Sequence, residues 1–240
     1  MDTIKEALTF DDVTLAPNYS EILPNEVNTS TNLTKNLSIR IPLLSSAMDT
    51  VTESSMSIAI AKAGGLGIIH RNLNINDQIK EIRKVKSKKY LVGAAVGASE
   101  KELKRAEKIL KENIDIIVVD TAHGHTKKVG NIINKIKKIR PKGTAICAGN
   151  IATAEAAKFL VRLGVDMIKV GIGPGSICTT RLVAGIGVPQ LSAILDVKKG
   201  IGKGKTKLIA DGGVKFSGDI AKALAAGADA VMIGSLFAGT

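Results

Sequence analysis

The sequence predicts an α/β protein with the (β/α)8 architecture of a TIM barrel. From residue 41 onward, eight short apolar runs rich in β-branched residues alternate with amphipathic helical patterns. Runs of this kind are typical of parallel strands that are buried on both faces. Eight strand–helix units in a chain of 240 residues fit a closed barrel, which commonly takes about 250 residues. A doubly wound open sheet is the alternative, but such sheets usually have roughly five or six strands.

The predicted strands place most of the chain in one domain. Their bounds are 41–44, 66–69, 91–96, 114–119, 145–148, 165–170, 207–210 and 230–233. Residues 1–40 are predicted to form an irregular, turn-rich segment that packs on the barrel, so that residues 1–240 make a single barrel domain. The chain stops at Thr240, soon after the eighth strand, and we therefore expect a barrel truncated before its eighth helix.

Polar residues and glycines mark the ends of the helical patterns. Ser99 and Glu102 have the spacing of a capping box. Thr153 and Ser217 are each placed to cap the helix that follows. Gly164 is expected to end a helix in the left-handed conformation.

Composition limits the classes of partner. The formal net charge is +12, but the lysines lie within helical patterns and are expected to form solvated helix faces. Aromatic residues make up only 2% of the chain, too few for a base-stacking surface, so we expect no nucleic-acid partner. The sequence has no apolar run of the roughly 18 residues that a membrane span needs, and its N-terminus does not resemble a secretory signal. We therefore expect a cytoplasmic protein with no membrane partner.

The segment VGIGPGSICTT, residues 170–180, is the strongest functional signal in the chain. Three glycines follow the sixth predicted strand and allow the backbone to approach a ligand closely. Cys178 then follows, between hydroxyl side chains. On these residues alone, Cys178 is either a nucleophile presented by a loop or a buried structural cysteine. The chain has only one other cysteine, Cys147, so a disulfide framework is not expected.

Small and polar residues follow the ends of several predicted strands. Because the carboxyl ends of all strands form one face of a barrel, these residues are expected to meet there. The glycine and serine residues after the last three strands fit a phosphate-binding cradle. Asp211 is placed to accept two hydrogen bonds from a ribose diol. Asp211 and Asn150 also have plain structural interpretations, as a turn former and as a left-handed turn residue.

Seven segments, in order, resemble the IMP dehydrogenase/GMP reductase family. They are LTFDDVTLAP (8–17), IPLLSSAMDTVTE (41–53), GGLGIIHRN (64–72), VDTAHGH (119–125), GIGPGSICTTR (171–181), GVPQLSAI (187–194) and ADGGV (210–214). The match covers essentially the whole chain. The segments SAMD (46–49) and RLVAG (181–185) are more similar to the dehydrogenases than to the reductases.

The resemblance implies an NAD-dependent oxidation of inosine 5′-monophosphate (IMP) to xanthosine 5′-monophosphate (XMP). By this reading Cys178 attacks C2 of the purine, a hydride passes to NAD⁺, and water hydrolyses the covalent intermediate. Thr180 is implied to lie beside Cys178 as a second catalytic residue. The alternatives are a GMP reductase, which uses the same thiol with NADPH, and a non-catalytic nucleotide-binding barrel.

The resemblance also implies binding roles for individual residues. The positions implied for IMP are Ser46, Met48, Ser176, Asp211, Gly212, Gly213, Gly234 and Ser235. The positions implied for NAD are Asp120, Thr121, Asn150 and Gly171. The carbonyl groups of Gly173, Gly175 and Cys178 match the ligands of a potassium ion. The implied assembly is a homotetramer.

The chain departs from the family pattern in two places. Residues 83–90 lead directly into the third strand, where the family commonly carries an inserted pair of CBS modules, so regulation through such modules is not expected. The family's mobile flap, with an Arg-Tyr pair that activates the hydrolytic water, would follow the eighth strand and is not in the sequence given. We therefore expect impaired hydrolysis and accumulation of the Cys178 adduct.

Overall fold

Eight parallel strands close into a barrel in the computed structural model, which describes residues 4–175 and 179–240. Their order around the barrel follows the order of the chain, with the last strand paired to the first. The barrel strands are β3 (Leu43–Ser45), β4 (Leu66–Ile69), β5 (Val92–Val96), β6 (Ile116–Asp120), β7 (Ala145–Ile151), β8 (Met167–Val170), β9 (Lys207–Asp211) and β10 (Ala230–Ile233). The predicted (β/α)8 barrel is confirmed, and the open sheet is excluded because β10 pairs with both β3 and β9.

Helices follow the barrel strands and pack around the outside. They are α1 (Ser54–Ala63), α2 (Ile75–Ser87), α3 (Glu100–Ile109), α4 (Lys127–Ile139), α5 (Ala154–Leu163), α6 (Thr180–Val183), α7 (Gln190–Ile201) and α8 (Ser217–Ala225). Their apolar faces form one large cluster with the outward-facing strand residues, as in α4, where Val129, Ile132, Ile133 and Ile136 recur at helical spacing. Residues 88–91 alone connect α2 to β5. No helix within the described ranges is long and apolar enough to cross a membrane.

The structure confirms some of the predicted helix caps and corrects others. Thr153 accepts a hydrogen bond from the Ala156 N–H, as predicted. Ser99 likewise accepts from the Glu102 N–H, but the Glu102 carboxylate binds the Gly97 N–H, so this is not the reciprocal capping box that was expected.

Two further predictions at helix ends have opposite outcomes. The predicted Ser217 cap is wrong: Ser217 is the first residue of α8, and Asp219 instead accepts hydrogen bonds from the backbone N–H groups of Lys215 and Phe216. Gly164 ends α5 in the left-handed conformation, as predicted.

The N-terminal segment is more regular than predicted. Residues 1–40 were expected to be irregular, but β1 (Thr31–Thr34) and β2 (Leu37–Ile39) form an antiparallel hairpin. Leu33, Leu37 and Ile39 of this hairpin belong to the same buried cluster as the inward-facing strand residues. The prediction failed because the apolar residues are few and lie among polar ones, whereas their burial depends on the barrel that they cover.

The barrel interior changes from apolar to charged along its axis. Inward-facing residues recur at every second strand position, as at Ile116 and Val118 in β6 or Ala145 and Cys147 in β7. Continuing this alternation to the carboxyl ends of the strands reaches Asp120 in β6, Lys169 in β8 and Asp211 in β9. The candidate site therefore begins where the apolar filling of the barrel ends.

Candidate functional site

A cavity of about 280 Å³ lies at the carboxyl ends of β3, β9 and β10. It brings together the described residues that the resemblance implied for IMP, namely Ser46, Met48, Asp211, Gly212, Gly213, Gly234 and Ser235. Pro174 and Gly175 line the same cavity. Ser176 lies outside the described residues.

The glycines of this cavity have conformations and contacts that exclude larger residues. Gly212 and Gly213 have φ values of +89° and +81°, a left-handed region that favours glycine. A Cβ on Gly234 would lie 3.0 Å from Sδ of Met48 and 3.1 Å from Oγ of Ser46. These glycines leave backbone groups exposed to the cavity, as a phosphate-binding loop requires.

Ser46 has a buried hydroxyl oxygen that no described residue pairs with. Its backbone is fixed, since its N–H donates to the carbonyl of Ile233 at 3.0 Å and its carbonyl accepts from Thr52 Oγ1 at 2.5 Å. Buried polar atoms in proteins are almost always hydrogen-bonded. The unpaired Oγ of a cavity-lining serine is therefore suited to a polar ligand atom.

A second cavity, of about 270 Å³, lies at the ends of β6, β7 and β8. It includes the four residues implied for NAD, which are Asp120, Thr121, Asn150 and Gly171, together with Gly173, Thr180, Arg71 and Lys169. Thr121 is held by a hydrogen bond of 2.8 Å from its hydroxyl to the carbonyl of Gly149. The described residues implied for IMP and the residues implied for NAD thus line two different cavities.

A buried ion-pair network separates the two cavities. Lys169 is only 5% exposed, and its Nζ lies 2.8 Å from Asp120 Oδ1 and 2.5 Å from Asp211 Oδ2. Asn150 Nδ2 donates to the same Asp211 oxygen at 2.9 Å and to the carbonyl of Gly171 at 2.8 Å. The network joins the ends of β6, β7, β8 and β9.

Gly149 makes room for this network. It pairs with Asp120 on one side and with Lys169 on the other, so the Lys169–Asp120 ion pair spans the strand that carries Gly149. A Cβ at position 149 would lie 2.5 Å from the carbonyl oxygen of Lys169 and 2.7 Å from its Cβ. Only glycine fits at this position without displacing Lys169.

The network keeps Lys169 and Asp120 charged. Burial alone would lower the pKa of the Lys169 ammonium, but the charges of Asp120 and Asp211 outweigh burial and raise that pKa above its usual range. Burial would raise the pKa of Asp120, yet the nearby Lys169 and Arg71 cations lower it below its usual value. At neutral pH these shifts keep Lys169 as an ammonium and Asp120 as a carboxylate.

The described residues that flank Cys178 in the sequence line both cavities. Gly171, with φ +147°, approaches so closely that a Cβ there would lie 2.1 Å from the carbonyl oxygen of Asp211. Pro174 and Gly175 line the first cavity, whereas Gly171, Gly173 and Thr180 line the second. Cys178 itself lies outside the described residues, so its predicted role as nucleophile, and as a carbonyl ligand of potassium, stays a prediction.

Cys147 is an unreactive structural cysteine. It is 2% exposed inside the barrel, and burial raises the pKa of its thiol to about 12. Because the thiolate is the nucleophilic form, this residue is unsuited to covalent chemistry. Within the described ranges, no group of three or more His, Cys, Asp and Glu residues could hold a metal ion.

Sequence reasoning missed Lys169 and Gln190. Lys169 was counted within an apolar run, although a lysine in phase with inward-facing Met167 marks a polar layer. Gln190 is buried, and its Nε2 donates to the carbonyls of Val170 at 2.9 Å and Asp211 at 3.1 Å. It ties the start of the cysteine loop to the Asp211 loop, a contact that no local sequence pattern signals.

The closed barrel and the two cavities at the carboxyl ends of its strands define a (β/α)8 protein whose candidate ligand sites lie on one face of the barrel. The sequence model of the family described as "IMP dehydrogenase / GMP reductase domain" matches residues 7–240. The chain therefore belongs to the IMP dehydrogenase/GMP reductase family.

Individual relatives agree with the family model. The chain is 49% identical to an inosine-5′-monophosphate dehydrogenase of Borreliella burgdorferi, with 98% of this chain and 70% of the relative aligned. It is 44% identical to one from Cryptosporidium parvum, with 99% and 69% aligned. It is 38% identical to one from Aquifex aeolicus, with 99% and 74% aligned. The Aquifex alignment extends over 365 positions, well beyond the 240 residues of this chain, so that relative carries internal segments without a counterpart here.

Proposed function

We propose that this chain is an IMP dehydrogenase that oxidises IMP to XMP with NAD⁺ and uses Cys178 as its nucleophile. The observation that carries the proposal is that described residues close to Cys178 in the sequence line both cavities: Gly175 lines the first, and Gly173 and Thr180 line the second. The first cavity holds the described positions implied for IMP, and the second holds those implied for NAD. The sequence relatives support the dehydrogenase in preference to the reductase.

The proposed reaction transfers a hydride from the purine to NAD⁺. The Cys178 thiolate forms a bond to C2 of IMP, and the hydride on C2 leaves to NAD⁺, giving NADH and a covalent purine thioimidate. Water then adds to C2 and the C2–sulfur bond breaks, which releases XMP and restores the thiol. Covalent catalysis of this kind divides one difficult step into two easier ones.

The first cavity suits a purine nucleoside monophosphate. Asp211 is placed to accept hydrogen bonds from the ribose hydroxyls, and the backbone of Gly212, Gly213 and Gly234 is placed to face the phosphate. The unpaired Oγ of Ser46 supplies a further hydrogen-bonding group.

The second cavity suits the nicotinamide end of NAD. Asn150 has a buried amide oxygen, Oδ1, that no described residue pairs with, while its Nδ2 is held by Asp211 and Gly171. The free oxygen can accept from an amide N–H, which is what the nicotinamide carboxamide offers. Asp120 and Thr121 line the same cavity, and Thr180 is proposed to act beside Cys178.

A potassium ion is proposed at the cysteine loop. The carbonyl groups of Gly173, Gly175 and Cys178 are oxygen donors of the kind that hard cations prefer. The left-handed φ of Gly173, +77°, supports an irregular loop that presents carbonyl groups at this point. Replacing potassium by sodium in the assay is expected to lower the rate of NADH formation.

A homotetramer in the cytoplasm is the proposed setting. Leu182, Val183 and Ile186, which follow the cysteine loop, are all exposed, and exposed apolar groups close together mark interaction surfaces. A free thiol also stays reduced most readily in a reducing compartment such as the cytoplasm. Light scattering on the purified chain measures the assembly, for which four copies are expected.

The test of the proposed function is NADH formation monitored by absorbance. The 240-residue chain, incubated with IMP, NAD⁺ and potassium, is expected to form at least one NADH per active subunit. Cys178→Ala is expected to form none, whereas Cys147→Ala, which removes the buried thiol, is expected to retain the reaction. Consumption of NADPH with GMP is the competing result and would identify a GMP reductase. Neither reaction, together with an absence of IMP binding, would overturn the proposal.

A further inference from the structure

Lys169 is the one described ion-pair partner that the two cavities share. Its ammonium contacts Asp211 of the first cavity and Asp120 of the second. The lysine side chain is buried, and the two carboxylates are largely so. Neither carboxylate can therefore reorient without affecting the same cation.

The contact to Asp211 leaves one carboxylate oxygen available. Lys169 and Asn150 both donate to Oδ2 of Asp211. These two contacts therefore leave Oδ1 of Asp211 to other partners. A carboxylate fixed through one oxygen presents the other in a defined direction, which lowers the entropy lost when a ligand hydroxyl binds.

The contact to Asp120 has the same effect on the other side. Asp120 Oδ1 lies 2.8 Å from Nζ of Lys169, and the carboxylate lines the second cavity. Two carboxylates this close to each other would repel without the cation between them. Lys169 thus holds the Asp120 and Asp211 side chains on one cation between the two cavities.

We propose that Lys169 is a positioning residue shared by both substrates: it orients Asp211 for the purine nucleotide and Asp120 for the dinucleotide. The inference rests on the proposed function, which assigns these two ligands to the two cavities. Lys169 itself need not touch the reacting atoms. Its loss weakens both sites at once, whereas loss of either carboxylate directly affects only its own site.

The test compares three lysine variants of the full chain by calorimetric titration with IMP and, separately, with NAD⁺. Lys169→Met is expected to lower the affinity for IMP and for NAD⁺ by about tenfold or more each, the scale of a lost charged hydrogen bond. Lys169→Arg keeps the cation and is expected to stay within about threefold of the wild type for both ligands.

Lys207→Met is the matched control. Lys207 also lies on a barrel strand and pairs with a carboxylate, Asp229, at 2.8 Å, but it lies at the opposite end of β9 from Asp211. This variant is expected to bind both ligands as the wild type does. Circular dichroism confirms that each variant is folded, and Lys169→Gln, which keeps a hydrogen-bond donor but no charge, replaces Lys169→Met if the latter does not fold.

The outcomes separate the inference from the proposed function. A wild-type chain that binds IMP and NAD⁺, together with a folded neutral variant that binds both equally well, would overturn the role of Lys169 alone. A neutral Lys169 variant that loses affinity for only one of the two ligands would overturn that role as well. A wild-type chain that binds neither nucleotide would overturn the proposed function, and the inference with it. Lower affinity for both ligands in the neutral variant, with near wild-type affinity in Lys169→Arg, would support the inference.

Discussion

At the scale of single residues, two buried serines are expected to differ in function: one is placed to bind a ligand and the other is not. Ser46 and Ser57 each have a buried hydroxyl oxygen without a described partner. Ser46 lines the first cavity, whereas Ser57 lies in α1 against Gly67. An unpaired buried hydroxyl contributes little to stability, because its removal leaves no other group unsatisfied.

Ser46→Ala is therefore expected to fold at least as stably as the wild type but to bind IMP about threefold to tenfold more weakly, since one hydrogen bond is worth roughly 0.5–1.5 kcal/mol. Ser57→Ala, the control, is expected to change neither property. Thermal unfolding and IMP titration measure the two effects. Unchanged IMP affinity in Ser46→Ala would exclude contact between this hydroxyl and the nucleotide.

The two cysteines are expected to differ in reactivity. Since burial raises the pKa of Cys147 to about 12, almost none of its thiol is ionised at about pH 8, where an ordinary thiol is partly ionised. Iodoacetamide is expected to modify the peptide that contains Cys178 and to leave Cys147 intact, and IMP is expected to protect Cys178. Peptide mass spectrometry distinguishes the two sites. Rapid labelling of Cys147 in the folded chain would contradict its placement inside the barrel.

At the scale of elements, the packing of α5 against α7 depends on Gly200. A Cβ on this residue would lie 2.4 Å from the carbonyl oxygen of Ala154 and 2.7 Å from Cβ of Ala157. The two helices therefore approach through a glycine, although α7 would gain helix propensity from alanine. The close contact outweighs that gain, because Ala154 begins α5 just after β7 and its backbone cannot move without that strand.

Gly200→Ala is expected to lower the free energy of unfolding by about 1–3 kcal/mol, the usual cost of overpacking. Gly218→Ala in α8 is the control, because the added Cβ meets no atom within 4 Å, and it is expected to be neutral or slightly stabilising. Denaturant unfolding measures both. Equal stability of the two variants would show that α5 and α7 do not pack as described.

The elements also show which parts of the fold the sequence could predict. The strands 66–69 and 230–233 have the predicted bounds, because a strand buried on both faces is a continuous apolar run. The hairpin of β1 and β2 was missed because its three buried side chains acquire their partners only from the closed barrel. Long-range burial of this kind leaves a weak local signal.

At the scale of the whole molecule, the candidate site also contains residues with a clear sequence signal and residues whose roles depend on distant parts of the chain. Asp211 and Asn150 could be predicted because the carboxyl ends of parallel strands meet on one face of a barrel. Lys169 could not be predicted from its own run, since its role depends on Asp120 and Asp211 on other strands. Gln190 likewise acts through carbonyl groups that are distant in sequence. Topology and resemblance thus predict which residues to expect at the site, whereas the contacts between them depend on residues that are distant in sequence.

The central claim is that the Cys178 thiol forms a covalent bond to a purine nucleotide, which NAD⁺ then oxidises. Mass spectrometry of the chain, quenched with acid during incubation with IMP, NAD⁺ and potassium, tests it most directly. The peptide containing Cys178 is expected to gain the mass of IMP less two hydrogen atoms, one lost as hydride and one as the thiol proton. This gain should require NAD⁺ and be absent in Cys178→Ala. NADH formation without any modification of Cys178, or with the adduct on another residue, would contradict the account.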